Sequence, residues 1–474
     1  MEEGRRSTEG RQPIVSFTQP FVARASNGNG GGVHSNGEAV SMSSVPSRVL
    51  ILSGEMGEGH NAAAAAITEA IAAVWPGCCV ERFDTLELWG RSFAKAASWG
   101  YEVQMRLLPL TYEVFYDWLC RSDRFAAVAK RAIGRFFGRR LQEFLAARKD
   151  DLVISTYPFG SAALDWLAEH HGFSIPTVTY VPAFHVHPVW TYPGIGQHYV
   201  MYDTAPEHAR TDGFAETMYV GAPPVKNGFG TVGKEDARKR LSLDENAFIV
   251  LVTGGAWGLG GVADAVKALV DSDVQMQVLA VCGKSEKLAE RLHSFGVPEQ
   301  RLKIFGYIDN MHEVMAAADV VVTNGAGVTV LEALRTPRPV IAFRPLAGHG
   351  KASTAEMVRR ELALLAPDVE DLVPVVRRLA GDPQLMARME RAGREWVEGR
   401  DLKDSVRMME LLFEVNGAGR NGDGRNGAAD GDGRNGAAEG DGRNGAPEGD
   451  ALKRSRAAAA SLPVQGAPRG SVVA

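Results

Sequence analysis

From about residue 47 to residue 400, short apolar runs alternate with helical patterns. "RVLILSG", "VERFD", "DLVISTYP", "TVTYVPA" and "HYVMYD" read as strands in the first half. "FIVLVTGG", "QVLAVCG", "LKIFGY", "DVVVTNG" and "PVIAFRP" do so in the second. These runs are continuously apolar and rich in β-branched residues, the pattern of parallel strands covered on both faces. Amphipathic stretches such as "GVADAVKALVDS" and "MHEVMAAAD" supply the crossovers. The pattern predicts an α/β chain of two doubly wound, Rossmann-like domains. The join falls near "VGAPPVKNGFG", residues 220–230, where prolines and glycines cluster. Expected boundaries are 47–222, 223–400 and a final helix over 401–416. Two such domains facing each other place a cleft at the carboxyl ends of both sheets, where open α/β folds bind ligands.

Both ends read differently. Residues 1–46 are rich in Gly, Ser and Asn, and residues 417–474 hold a nine-residue repeat, "GRNGAADGD", "GRNGAAEGD", "GRNGAPEGD". Neither has enough apolar residues to build a core, so disordered tails are expected.

Composition narrows the classes. Of the 474 residues, 45% are hydrophobic and 23% charged, which is ordinary for a globular protein. The net charge of -5 argues against a nucleic-acid partner. The four cysteines lack zinc-ligand spacing, and adjacent Cys78 and Cys79 make a poor disulfide framework. No apolar run approaches the roughly 20 residues that span a bilayer. A cytoplasmic protein is expected, peripheral to the membrane if it works there at all.

Three glycine-rich turns carry the candidate chemistry. In "VLILSGEMGEGHNAAAAAITEAI" a strand breaks into glycines, including Gly57 and Gly59, and a helix starts at His60. In "LVTGGAWGLGG" a strand empties into glycines headed by Gly254 and Gly255; the amides of the following helix suit a phosphate, or the turn is merely structural. In "TNGAGVTVLEAL" Thr329 and Glu332 stand one helical turn apart on one face. Thr329, with the amides around Gly327, suits a diphosphate, and Glu332 suits the hydroxyls of a ribose. Alternatively, Thr329 is a cap and Glu332 a solvated charge.

The ordered set "VLILSGEMGEGHNAAA", "ISTYPF", "HPVW", "VTGGAWGLGG", "IFGYIDNMHEVMAAADVVVTNGAGVTVLEAL" and "RPLAGHGKAST" resembles the monogalactosyldiacylglycerol synthase and processive diacylglycerol glucosyltransferase family, over roughly residues 48–400. That family is related to the lipid-linked N-acetylglucosaminyltransferase of peptidoglycan synthesis. The resemblance implies a GT-B fold, a UDP-sugar donor in the second domain, and inverting transfer without a metal or cofactor to a lipid hydroxyl, most readily diacylglycerol. It places Gly254, Gly255, Gly327, Val328 and Thr329 around the diphosphate, Glu332 on the ribose, and Ile308 and Met311 at the uracil. It puts Gly57, Gly59 and His187 on the acceptor side.

His60 is then the candidate base, since inverting transfer needs a group to take the acceptor hydroxyl's proton. A helix start disfavours imidazolium and keeps the ring able to accept a proton. Two departures stand out. Pro182 occupies the position of an aspartate upstream of the family's His-Pro-x-Trp, and His349, Gly350 and Ser353 stand where relatives carry Gln, Glu and Asn, of which the Gln or Glu touches the donor sugar. Sugar identity is left open, with His349 and Lys351 facing a charged sugar, a phosphate or solvent. An epimerase on the same fold, a transferase for another acceptor and a degenerate nucleotide-binding protein are the competing readings.

Residues 91–149 carry twelve Lys/Arg against five Asp/Glu, with eleven aromatic residues interleaved. "RFAAVAKRAIGRFFGRRLQEFLAARK" forms a basic amphipathic helix, suited to an anionic membrane surface or to packing on its own domain.

Overall fold

The computed structural model describes residues 45–202, 215–324 and 327–413. Two six-stranded sheets organise them, and every strand pair among the described residues is parallel. The first has the order β2-β1-β3-β4-β5-β6, from β1 (Arg48–Ser53), β2 (Cys79–Asp84), β3 (Leu152–Ser155), β4 (Thr177–Tyr180), β5 (Gln197–Val200) and β6 (Met218–Val220). The second runs β12-β11-β10-β7-β8-β9, from β7 (Ile249–Thr253), β8 (Gln277–Val281), β9 (Leu302–Phe305), β10 (Val320–Thr323), β11 (Val340–Phe343) and β12 (Ala363–Ala366). The ten strands expected from the apolar runs are all present. The edge strands β6 and β12 were not expected.

The inner strands are buried on both faces, as their unbroken apolar character requires: Val49 through Leu52 and Ile249 through Leu251 have no solvent exposure. Helix α1 (Gly59–Val74) lays Ala63, Ala64, Ile67, Ala70 and Ile71 on the first sheet. The chain then returns to this side: helix Leu402–Met408 sends Val406 into the cluster holding Ile67 and Ile71, and Trp75 Nε1 donates to Glu410 at 2.8 Å. Of the helix expected over 401–416, residues 414–416 lie outside the described residues, as do 1–44 and the repeat.

Between β2 and β3 the first domain inserts α2 (Arg91–Leu107), α3 (Pro109–Arg121) and α4 (Asp123–Ala146). Helix α4 is a packing helix: Ala126, Phe137, Leu141 and Leu145 are buried, and Gly134 and Gly138 bring it onto Trp166 of α5 (Pro158–His171). Its basic residues Arg131, Arg135, Arg139 and Arg140 occupy the outer face. Exposed apolar side chains lie on α2 and α3, where Trp99 is 67% exposed, Leu107 and Leu110 73%, and Trp118 62%, and also on α4 at Val128 and Phe136. Among the described residues no helix is long and apolar enough to cross a membrane.

Candidate active site

The loops that leave the carboxyl ends of β1, β3, β4, β7, β10 and β11 converge on one cleft of about 780 Å³. All thirteen residues expected at the site line it: Gly57, Gly59, His60 and His187 from the first domain; Gly254, Gly255, Ile308, Met311, Gly327, Val328, Thr329, Glu332 and His349 from the second. The two sides approach closely, since a Cβ built on Gly59 would lie 4.0 Å from the backbone nitrogen of Val328.

His60 is the second residue of α1, and its place is set by β3. Thr156, the first residue beyond that strand, donates its hydroxyl to the His60 carbonyl at 3.1 Å. The Thr156 carbonyl oxygen lies 2.7 Å from His60 Nδ1. A carbonyl only accepts, so Nδ1 carries the proton and Nε2 keeps its lone pair. That Nε2 has no hydrogen-bond partner among the described residues. Burial holds the ring's pKa down to about 4, opposed only by the Thr156 contact, so the imidazole is neutral at physiological pH. Tyr157, edge-on, and Trp190, tilted, flank it, with ring centroids at 5.1 and 5.8 Å.

Opposite, helix Val328–Arg335 starts at Gly327 with Thr329 and Glu332 both facing the cleft. Glu332 accepts no side-chain hydrogen bond among the described residues. Burial pushes its carboxyl up to about 7, and Lys226 pulls the other way. A desolvated carboxylate without donors costs free energy, and ligand hydroxyls would relieve that cost. The loop after β7 is equally specific: a Cβ on Gly254 would fall 2.1 Å from the Leu259 carbonyl oxygen, so only glycine fits. Ile308 and Met311 line the cleft while packing partly against the core.

Three features were not legible beforehand. Glu58 is ion-paired with Lys284, tying the first domain's glycine loop to the loop after β8. Lys351 does not face the site; its Nζ donates to both oxygens of Glu113 on α3, at 2.6 and 2.8 Å. His349 is half-buried, with its pKa lowered to about 4 by desolvation, and meets Tyr112 of α3. Among the described residues no group of three or more His, Cys, Asp or Glu could hold a metal. Beyond this polar centre the cleft continues between α2 and α3 and the first domain as an apolar channel past Met105, Phe115, Leu119 and Ile133.

Residues 60–224 match the family described as monogalactosyldiacylglycerol (MGDG) synthase, and residues 249–349 match the glycosyltransferase family 28 C-terminal domain. A processive diacylglycerol beta-glucosyltransferase of Bacillus cereus (strain AH187) is 29% identical over 263 residues, which are 54% of this chain and 66% of that protein. The chain thus aligns with just under two thirds of the length of that relative. Among solved structures, the spinosyn rhamnosyltransferase SpnG superposes with a TM-score of 0.52 at 13% identity, covering 77% of this chain and 99% of that one. The calicheamicin glycosyltransferase CalG4 gives 0.51 at 16% identity, covering 78% and 99%. These likenesses establish a GT-B fold.

Proposed function

Since the chain belongs to the monogalactosyldiacylglycerol synthase family through residues 60–224 and carries the family 28 glycosyltransferase C-terminal domain in residues 249–349, we propose that it is an inverting transferase that moves a hexose from a UDP-sugar to the hydroxyl of diacylglycerol or a similar lipid. The observation that carries this reading is the opposition of two groups across one cleft. A neutral imidazole with a free Nε2 faces a half-buried, donor-starved carboxylate on helix Val328–Arg335.

In this reading Glu332 accepts the ribose hydroxyls, and the amides of Gly327 to Thr329 and of the loop at Gly254 and Gly255 hold the diphosphate. The acceptor hydroxyl approaches along the apolar channel and gives its proton to His60 Nε2 as its oxygen attacks the anomeric carbon. The C–O bond to UDP breaks as the new glycosidic bond forms. Negative charge grows on the diphosphate, where the helix start and loop amides meet it. The chemistry asks for no metal or cofactor. Pro182, which lines the cleft, cannot act as a base, and this reading gives the proton to His60.

The exposed apolar residues of α2 and α3 supply the approach to the lipid. They would dip into the interface of an anionic membrane, with Arg residues of α2–α4 at the headgroups. The deciding experiment incubates the full chain with UDP-glucose, UDP-galactose and UDP-glucuronate and vesicles holding diacylglycerol, followed by mass spectrometry of the lipids. A glycosyl-diacylglycerol, with UDP released only when the lipid is present, is the expected result. UDP release without lipid, or none at all, defeats the reading.

A further inference from the structure

Helix α3 has two faces. Leu110, Val114 and Trp118 point outward, while Tyr112 and Tyr116 press on the turn that begins helix His349–Arg359. Tyr112 Oη and His349 Nδ1 are 3.1 Å apart, and the rings meet edge-on at 88° with centroids 5.9 Å apart. The turn cannot drift: Gly348 has φ +64°, and a Cβ there would lie 2.8 Å from Tyr112 Cε1 and 2.9 Å from Tyr116 Cβ. Next along the chain, the Glu113–Lys351 pair fixes the register between the two helices. The Tyr101 ring also meets Tyr112 edge-on, with centroids 5.6 Å apart. His349 lines the cleft, and its Nε2 makes no hydrogen bond to a described residue.

We infer that Tyr112, a residue of the acceptor domain, is a positioning residue for donor-sugar selection: its hydroxyl donates to His349 Nδ1 and fixes the imidazole as the Nε2–H tautomer, a single N–H donor presented to the sugar. The inference rests on the UDP-sugar reading given above. A fixed N–H donor recognises a lone pair on one sugar oxygen, of a hydroxyl or of a uronate carboxylate. A side-chain amide, by contrast, both donates and accepts. Without the Tyr112 hydroxyl the ring takes either tautomer, and hexoses that differ at one centre are told apart less well.

Two measurements test this. Nitrogen NMR of the full chain labelled at histidine, without ligand, is expected to show His349 as the Nε2–H tautomer, its signal assigned by its loss in His349→Gln. In Tyr112→Phe the signal should move to a tautomer mixture. Competition between UDP-glucose, UDP-galactose and UDP-glucuronate should show the selectivity ratio falling roughly tenfold in Tyr112→Phe, through KM more than kcat. In a His349→Gln background Tyr112→Phe should change the ratio no further.

A protonated Nδ1 in the parent chain, an unmoved tautomer in Tyr112→Phe, or additive effects of the two substitutions would overturn the assignment. Should Tyr112→Phe fail to fold, Glu113→Gln loosens α3 at its half-exposed anchor; a lowered ratio supports the assignment and an unchanged one overturns it. The tautomer readout needs no substrate. Failure of the parent chain to use any UDP-sugar therefore defeats the functional reading while the NMR result still decides the positioning role.

Discussion

His60 Nδ1 lies 2.7 Å from the carbonyl oxygen of Thr156, and this single contact decides what the imidazole can do. It spends the ring's proton on the backbone and turns a lone pair toward the cleft. With its pKa held at about 4, the ring is a base already poised across the neutral range.

Replacing His60 with Ala should therefore lower kcat by roughly 10²–10⁴-fold, the usual worth of a general base, with folding intact by circular dichroism. At saturating donor, kcat of the parent chain should stay level from pH 8 to about 5 and fall toward 4. A midpoint near 6.5 would mean that the ring titrates as an ordinary histidine, contrary to its burial.

Glu332 gives the opposite dependence. Its carboxyl pKa is raised to about 7, so the ionised, accepting form grows as pH rises from 6 to 8. Donor affinity should strengthen over that window by about tenfold. A UDP-sugar is the right probe, because its diphosphate is esterified at both ends and does not titrate there. Calorimetry on Glu332→Gln should find weaker binding with a flat pH profile.

Gly254→Ala places a Cβ 2.1 Å from the Leu259 carbonyl oxygen and 2.7 Å from its nitrogen. The loop must open, at about 1–3 kcal/mol. A fall in Tm together with loss of donor binding is expected in thermal-shift measurements; an unchanged Tm would show that the loop gives way freely.

On α3, Leu110→Glu together with Trp118→Glu alters side chains that are 73% and 62% exposed. Stability should change by about 0.5 kcal/mol or less, as for ordinary surface sites. Co-sedimentation with anionic vesicles at low salt should drop at least tenfold. Equal binding by the parent chain and the double variant would remove α3 from the membrane reading. Reversing charge on α4, with Arg135→Glu, should weaken vesicle binding in a salt-dependent way.

Much of this molecule was legible in its residues. Unbroken β-branched runs mark buried parallel strands, and glycines followed by alanine-rich or amphipathic stretches mark the strand-to-helix turns where ligands sit. That is why every candidate site residue, from Gly57 to His349, lies on one cleft. Periodicity reports how often a side chain is buried, but not against what. It could not show that α4 would bury its apolar stripe on Trp166 and leave α2 and α3 exposed. Nor could it show that Glu58 would find Lys284, that Glu113 would take Lys351, or that Thr156 and Tyr112 would fix the rings of His60 and His349. Each of those pairs joins positions tens to hundreds of residues apart. Their contact depends on how the two sheets and the inserted helices are laid together, a relation that local patterning does not encode.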